Sequence, residues 1–235
     1  MSKTVKMVLG IVVVVVVIGG AGLYWFVLRD TSEKTASLDA IGTPSTTASG
    51  PAKSSADGAW KLKQDTGVFA GYRVQELFGG QTIKKTANGR SADVSGTLTV
   101  SGSTIPAAEI KVNTTKLTSD ETRRDAAIST RGLETQKFPE ATFKLTSPIT
   151  LPAAPVAKQE MSVTAKGDLT LHGTTKAVEV PLKAMWDGNT IKVATVGEGL
   201  PITMADYGIK PIEIPGFVTT DDKGTLELQL LFVPA

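Results

Sequence analysis

Few side chains in this sequence have the chemistry of a catalyst or a metal ligand. The 235 residues include one histidine and no cysteine, and 25 basic residues against 23 acidic ones give a formal net charge of +2. Thiolate nucleophiles, disulfides and cysteine-based metal sites are excluded, and carboxylates alone suit transition metals poorly. The charge balance gives no reason to expect nucleic-acid binding. We therefore expect no metal, no cofactor and no nucleic-acid partner.

The single histidine, His172, ends the alternating stretch GDLTLH, which is typical of a β-strand. Leu169 and Leu171 share one face of such a strand, while Asp168 and Thr170 share the other face with His172. A serine hydrolase would need the imidazole beside a nucleophile and an orienting acid, and no G-x-S-x-G motif supplies the nucleophile. We interpret His172 as a hydrogen-bonded strand-end residue that points away from the apolar face. We expect no enzymatic activity.

The densest charged cluster is formed by Arg123, Arg124 and Asp125, within the stretch SDETRRDAAIS. This stretch breaks the alternating pattern and predicts a short helix capped by Ser119 or Asp120. Two roles are open for the cluster. It can fix the helix through a salt bridge or a capping interaction, as ion pairs on loops often do. Alternatively, its arginines can clamp the phosphate or other head group of a ligand.

The elements that must position these residues are strands. Stretches such as GTLTV, EIKVN, TFKLT and TLELQLLF alternate apolar and polar residues, which marks strands with one apolar face. The predicted strands lie near 67–77, 92–101, 105–117, 141–147, 160–172, 175–186, 190–203 and 223–233. Such strands can form a sandwich or a barrel, and long strands without Greek-key jumps favour the barrel, which has no exposed edge. We predict a mainly β fold, an extended eight-stranded antiparallel, lipocalin-like barrel with one short helical excursion.

The N-terminal stretch 7–28 carries no charge and predicts a transmembrane helix. At about 1.5 Å per residue it is about 33 Å long, enough to cross a bilayer. Lys3 and Lys6 precede it, so the positive-inside rule places residues 1–6 in the cytoplasm and the rest outside. A cleaved signal peptide is the competing interpretation, but the apolar run continues through LYWFVL where a cleavage region would turn polar. We predict a single-pass cell-membrane protein with an extracytoplasmic C-terminal domain.

Two further segments follow the predicted anchor. Residues 29–58 are rich in Ser, Thr, Ala, Gly and Pro and contain no aromatic residue. This composition predicts a flexible tether that holds the domain off the membrane. Residues 59–235 are then the barrel domain. The sequence predicts no particular oligomeric state.

Several stretches of this domain resemble the YceI-like family of lipocalin-shaped barrels. They are GYRVQE at 71–76, GRSADVSGTLTV at 89–100, RRDAAI at 123–128, KFPEATFKL at 137–145, GDLTLHGTTKAVEV at 167–180 and ADYGI at 205–209. Their order and spacing carry the resemblance, which covers residues 58–235. The resemblance implies a secreted barrel that binds a polyisoprenoid lipid in its apolar interior, without catalytic residues or a metal.

The apolar faces of the predicted strands supply candidate lipid-binding residues on the cavity wall. These are Tyr72, Val74, Phe143, Leu145, Leu169, Leu171, Val178, Val180, Leu182, Trp186, Leu226 and Leu228. Arg123, Arg124 and Asp125 are candidates for contacting a head group or fixing a loop. We expect a membrane-anchored protein that holds an isoprenoid or other long-chain lipid. The alternative is an adhesion or scaffold module with a filled barrel, which an exposed apolar patch without an internal pocket would favour.

Overall fold

The computed structural model describes residues 33–42, 53–78, 83–215 and 218–235, most of which lie in antiparallel strands. The strands are β1 (Gly58–Leu62), β2 (Phe69–Phe78), β3 (Ile83–Ser91), β4 (Val94–Ser101), β5 (Thr104–Asn113), β6 (Glu140–Leu145), β7 (Ile149–Thr150), β8 (Glu160–Leu171), β9 (Thr174–Trp186), β10 (Ile191–Thr195), β11 (Leu200–Thr203), β12 (Glu213–Ile214) and β13 (Val218–Pro234). The helical elements are one α-helix, α1 (Thr122–Ala127), a π-helical turn (Ile128–Gly132) and short 3-10 turns at Leu38–Ala40, Thr114–Lys116 and Met204–Tyr207.

The strands close into a barrel. Hydrogen bonding runs in the order β1-β4-β5-β6-β8-β9-β10-β13, and β1 also pairs with β13, which completes a ring of eight strands. The hairpin β2–β3 extends the wall, because β2 pairs with β13 and continues the course of β1. The predicted mainly β, eight-stranded antiparallel barrel is confirmed.

The interior of the barrel is packed at one end, which we call the closed end. Trp60 and Trp186 are buried there with Leu230 and Phe232. Trp60 is opposite Leu98, and Trp186 and Phe232 are both opposite Ile191, so these residues share the inner face. The Trp60 indole N–H donates to the Ala56 carbonyl at 2.8 Å. Aromatic bulk therefore plugs this end of the barrel.

The helical excursion lies at the opposite end, which we call the mouth. Its helix α1 is capped by Glu121, whose carboxylate accepts from the Arg123 backbone N–H at 3.1 Å. The predicted caps, Ser119 and Asp120, are therefore wrong as N-caps. Ser119 instead donates through its hydroxyl to Asp125 at 2.6 Å. This hydrogen bond stabilises the turn that precedes the helix. Glu121, whose backbone is extended, then occupies the N-cap position.

Residues 33–42, which we call the strap, lie along the outer face of the barrel. Leu38 and Ile41 are buried there against Phe69 and Leu231. The Ser37 backbone N–H donates to Gln229 Oε1 at 2.8 Å. The prediction of a flexible tether over 29–58 is therefore wrong for residues 33–42. Their few apolar side chains suffice because Phe69 of β2 and Leu231 of β13 form an apolar patch on the outer face of the barrel that receives them.

The far end of the predicted tether is also in contact with the barrel. Ala56 is buried in the closed-end core, and the Lys53 backbone N–H donates to the Gly188 carbonyl at 3.0 Å. The predicted cytoplasmic segment 1–6 and anchor 7–28 lie outside the described residues. Within the described ranges, every helix is too short or too polar to cross a membrane.

Candidate functional site

The candidate site is a cavity of about 720 Å³ inside the barrel. It extends from Trp186 at the closed end to α1 at the mouth, and most of the side chains on its wall are aliphatic or aromatic. The strands deliver these side chains because every second residue of each strand points inward. All of the predicted wall residues except Val178 line the cavity: Tyr72, Val74, Phe143, Leu145, Leu169, Leu171, Val180, Leu182, Trp186, Leu226 and Leu228.

Strand β9 shows how the alternation builds the wall. Val180, Leu182 and Trp186 face the cavity, while Lys183 is exposed. Val178 belongs to the same apolar row but is not on the cavity wall. It packs, half-buried, against the core that surrounds Leu169. The apolar row of this strand is therefore longer than the part of it that borders the cavity.

A buried ion pair crosses the mouth of the cavity. Arg124 of α1 binds Glu76 of β2 through two hydrogen bonds, Nε to Oε1 at 2.7 Å and Nη2 to Oε2 at 2.9 Å. Arg124 also pairs with Asp120 one turn earlier. The side chains of Arg124 and Glu76 are only 10% and 11% exposed. This bidentate pair fixes α1 across the mouth, so Arg124 has a structural role.

Tyr72 lies on the cavity wall near this ion pair. Burial raises the pKa of Tyr72 well above its usual range, although the charge of Arg124 acts in the opposite direction. Its ring also lies close to Gly89 on the paired strand, where an added Cβ would be 2.5 Å from the ring. Burial therefore disfavours the ionised phenolate, and glycine at position 89 makes room for the ring.

The remaining charged residues of the mouth differ in their environment. Asp125 accepts from the backbone N–H of Ser119 at 2.9 Å and from its hydroxyl, so it stabilises the loop. Arg123 is exposed and lines the mouth together with Arg131 and Lys210, which are also exposed. Among the described residues these three cations form no ion pair. Only Arg123 was identified from the sequence, because Arg131 and Lys210 are isolated charges without a motif.

His172 lies outside the cavity and holds two loops against the hairpin of β8 and β9. Its Nδ1 is 3.0 Å from the Tyr207 carbonyl oxygen, and its Nε2 is 2.9 Å from Glu134 Oε2. The Phe138 ring packs edge-on against the imidazole, with the ring centroids 4.4 Å apart. The interpretation of His172 as a hydrogen-bonded residue is confirmed, but β8 ends at Leu171, and His172 lies in the turn that follows, with a positive φ of 51°. Its side chain is only 9% exposed, because these loops cover it.

No group of three potential metal ligands occurs in the part of the chain that the structure describes. The only carboxylate hydrogen-bonded to the His172 ring there is Glu134, and no hydroxyl lies in hydrogen-bond contact with its nitrogens. The cavity offers apolar contact along its wall and exposed positive charge at its mouth.

Comparison with known proteins agrees with this geometry. Residues 60–232 match the YceI-like domain. Protein YceI of Escherichia coli O6:H1 is 31% identical over 158 residues, which cover 63% of this chain and 74% of that protein. A polyisoprenoid binding domain from Saccharophagus degradans, implicated in plant cell wall breakdown, shares the fold. Its TM-score is 0.58 at 16% identity, over 75% of this chain and 98% of that domain.

A second solved structure, BcnA of Burkholderia cenocepacia, aligns with a TM-score of 0.49 at 18% identity, over 68% of this chain and 95% of that protein. The domain match covers nearly all of the barrel, from Trp60 in β1 to Phe232 in β13. It includes the strands that line the cavity and the excursion that crosses its mouth. The chain belongs to the YceI-like family.

Proposed function

We propose that this protein is a membrane-anchored, extracytoplasmic lipid-binding protein that holds a polyisoprenoid or a similar long apolar chain in its barrel. The observation that carries the proposal is the apolar cavity of about 720 Å³. Ligand pockets usually measure about 300–1,000 Å³. The related domain from Saccharophagus degradans is a polyisoprenoid binding domain.

The wall of the cavity favours a ligand that is apolar over most of its length. Rows such as Val180 and Leu182 on β9, and Leu226 and Leu228 on β13, face the same space. Burying apolar surface against such rows stabilises the complex by about 25 cal/mol per Å². A ligand with polar groups along its length would have to leave them without hydrogen bonds, which is costly.

The mouth favours a polar or anionic end group. Arg123, Arg131 and Lys210 are exposed there and have no ion-pair partner among the described residues. Arginine in particular pairs well with phosphate oxygens. Arg124 and Asp125 are occupied by Glu76 and Ser119, so we assign contact with the head group to the three exposed cations.

The anchored, extracytoplasmic location is supported by the uncharged stretch 7–28, which follows Lys3 and Lys6. The chain contains no cysteine, so a single introduced thiol reports its own location. Val156, which is 58% exposed, is a suitable site for Val156→Cys. A membrane-impermeant maleimide added to intact cells should label this variant. Labelling only after permeabilisation would show that the barrel lies inside.

The binding proposal is tested by a pair of substitutions on neighbouring residues of β9. Leu182→Lys places an unpaired charge on the cavity wall, so we expect loss of bound lipid. Lys183→Leu changes an exposed residue that makes only a 3.5 Å surface contact with Glu160, so we expect lipid binding to be unchanged. Lipid co-purifying with the full chain is identified and quantified by mass spectrometry.

Rebinding of a long-chain polyprenol to the delipidated full chain is the second readout. Circular dichroism separates loss of binding from loss of fold. The proposal fails if the native chain carries no apolar lipid and does not take up the polyprenol. It also fails if folded Leu182→Lys binds as the native chain does.

The alternative of an adhesion or scaffold module requires a filled barrel. The cavity of about 720 Å³ argues against it, because side chains do not fill the interior of the barrel. The large exposed apolar residues within the described ranges are Val156, Val196 and Ile214, and they lie on different segments. They do not form the contiguous patch that a docking module would present.

A further inference from the structure

The strap is fixed to the barrel by a second ion network, on the outer face of the wall. Glu227 of β13 binds Arg73 at 3.0 Å and Arg90 at 2.8 Å. Arg90 also pairs with the Glu33 carboxylate, and Arg73 donates to the Glu33 carbonyl. The Glu33 backbone N–H donates to Asn88 Oδ1 at 3.0 Å. The first residue of the strap is therefore held by its main chain and its side chain together.

The strap has a defined direction along the barrel. Glu33 lies at the level of the paired residues Arg73 and Asn88. Farther along the strap, Ser37 is hydrogen-bonded to Gln229, which is paired with Phe69 at the start of β2. At the end of the strap, the Gly42 backbone N–H donates to the Thr66 carbonyl at 3.2 Å. The strap therefore runs from the mouth side toward the closed end. Its first described residue, Glu33, lies nearest the mouth.

The length of chain between the predicted anchor and Glu33 limits which end of the barrel the anchor can approach. Five residue steps separate position 28, the end of the predicted span, from Glu33, and they extend at most about 18 Å. Arg73, which contacts Glu33, is separated from Phe78 at the mouth end of β2 by five strand residues, or about 17 Å. The closed end is farther away. Thr225 is paired with Arg73, and nine strand residues, or about 30 Å, separate Thr225 from Pro234 at the closed end. Only the mouth lies within reach.

The rim of the mouth has the composition of a membrane-contacting surface. Ile214 is 43% exposed on the segment that closes over the mouth beside α1. Arg123, Arg131 and Lys210 are exposed around the same opening, together with the exposed carboxylates of Asp120 and Glu213. Positive charge near the surface of an anionic leaflet attracts a protein to it, and apolar side chains insert at the interface.

We infer that the strap holds the barrel with its mouth toward the bilayer that carries the anchor, and that the rim around Ile214 contacts the lipid surface. This inference rests on the proposed anchoring. It gives the ordered strap a role that a flexible tether could not have, because a tether leaves the orientation of the barrel free. A lipid can then pass between the bilayer and the cavity without crossing water.

The test measures the depth of two single-cysteine labels on the full chain in vesicles of phosphatidylcholine and phosphatidylglycerol. Ile214→Cys reports the rim, and Val156→Cys reports an exposed apolar site beside the closed end, where Lys158 hydrogen-bonds to Trp186. Each thiol carries an environment-sensitive fluorophore, and both leaflets contain a nitroxide-labelled phospholipid as quencher. We expect several-fold stronger quenching at position 214 than at position 156.

The role of the strap is tested by a third variant in which a flexible Gly/Ser spacer of about 20 residues, with a reach of about 25 Å, is inserted between positions 32 and 33. We expect the difference between positions 214 and 156 to shrink. An unchanged difference would overturn the role of the strap, and equal or reversed quenching without the spacer would overturn the orientation.

Flotation of the full chain with the vesicles is measured before the quenching experiments. A chain that does not float disproves the anchoring itself, and the orientation with it.

Discussion

The two ends of this barrel are built from the same alternating strands but are closed in different ways. At the closed end, Trp60 is fully buried beside Trp186 and Phe232, and the latter two side chains form the floor of the cavity. At the mouth, smaller side chains leave a cavity, and the Arg124–Glu76 ion pair holds α1 across it. The difference shows that the size of the inward-facing side chains, and not the strand pattern, decides where the barrel keeps an internal cavity.

The largest expected effect comes from removing the plug. Trp60→Ala deletes a fully buried indole and its hydrogen bond to Ala56, so we expect the free energy of unfolding to fall by about 3–5 kcal/mol. Leu182→Ala is the matched change on the cavity wall. It enlarges an existing space, so its cost should be nearer 1–2 kcal/mol. Chemical denaturation followed by circular dichroism measures both. Equal losses would mean that the two ends are packed alike.

The second prediction concerns the ion pair at the mouth. Glu76→Ala leaves the Arg124 guanidinium, 10% exposed, with Asp120 as its remaining carboxylate partner. We expect a loss of about 1–3 kcal/mol and faster release of a bound polyprenol, because α1 loses its attachment to β2. The double variant Glu76→Met with Arg124→Met removes both charges of the buried pair and should be more stable than the single variant. A double variant that is less stable than the single variant would show that Arg124 stabilises the mouth without Glu76, through Asp120.

The strands and the inward face could be predicted from the sequence because alternation is a local property. The row Val180, Leu182 and Trp186 follows directly from the period of two in β9. Val178 shows the limit of this reasoning. The same alternation includes it, but the position of the cavity along the barrel depends on where bulky residues from other strands meet.

The features that the sequence did not predict depend on contacts between distant residues. Glu76 and Arg124 are 48 positions apart, and His172 meets Glu134 across 38 positions. The strap was missed because its composition is that of a linker. Its order comes from Phe69 and Leu231 on the outer face of the barrel, which receive it. Only a known pairing of the strands could have shown that such a face exists.

A third prediction concerns His172, which stabilises the mouth end from outside the cavity. His172→Ala removes hydrogen bonds to Tyr207 and Glu134 and the edge contact with Phe138. We expect a loss of about 1–2 kcal/mol in the free energy of unfolding, with polyprenol binding unchanged. Denaturation and polyprenol titration give the two values. If a folded His172→Ala chain no longer binds polyprenol, the residue acts on the ligand and not on the loops alone.

The smallest expected effect is a pH dependence at the closed end, in the turn between β9 and β10. Burial alone would raise the pKa of Asp187. Its carboxylate, however, accepts hydrogen bonds from the backbone N–H of Asn189 at 2.9 Å and from the backbone and hydroxyl of Thr190, and these lower its pKa overall. The ionised form is therefore bound more tightly in the folded chain than in the unfolded chain.

This stabilisation is complete above the unfolded pKa of about 4 and is lost as the pH falls through the lower folded value. Asp187→Asn removes it, so the variant should be less stable than the native chain at pH 7, by less than about 1 kcal/mol for a partly exposed turn. The difference should shrink as denaturation is repeated at pH values falling below 4, because the unfolded carboxyl is protonated first and the folded carboxyl follows as the pH passes its lower pKa. A difference that stays constant with pH would mean that Asp187 acts through the shape of the turn and not through its charge. The closed end would then depend on packing alone.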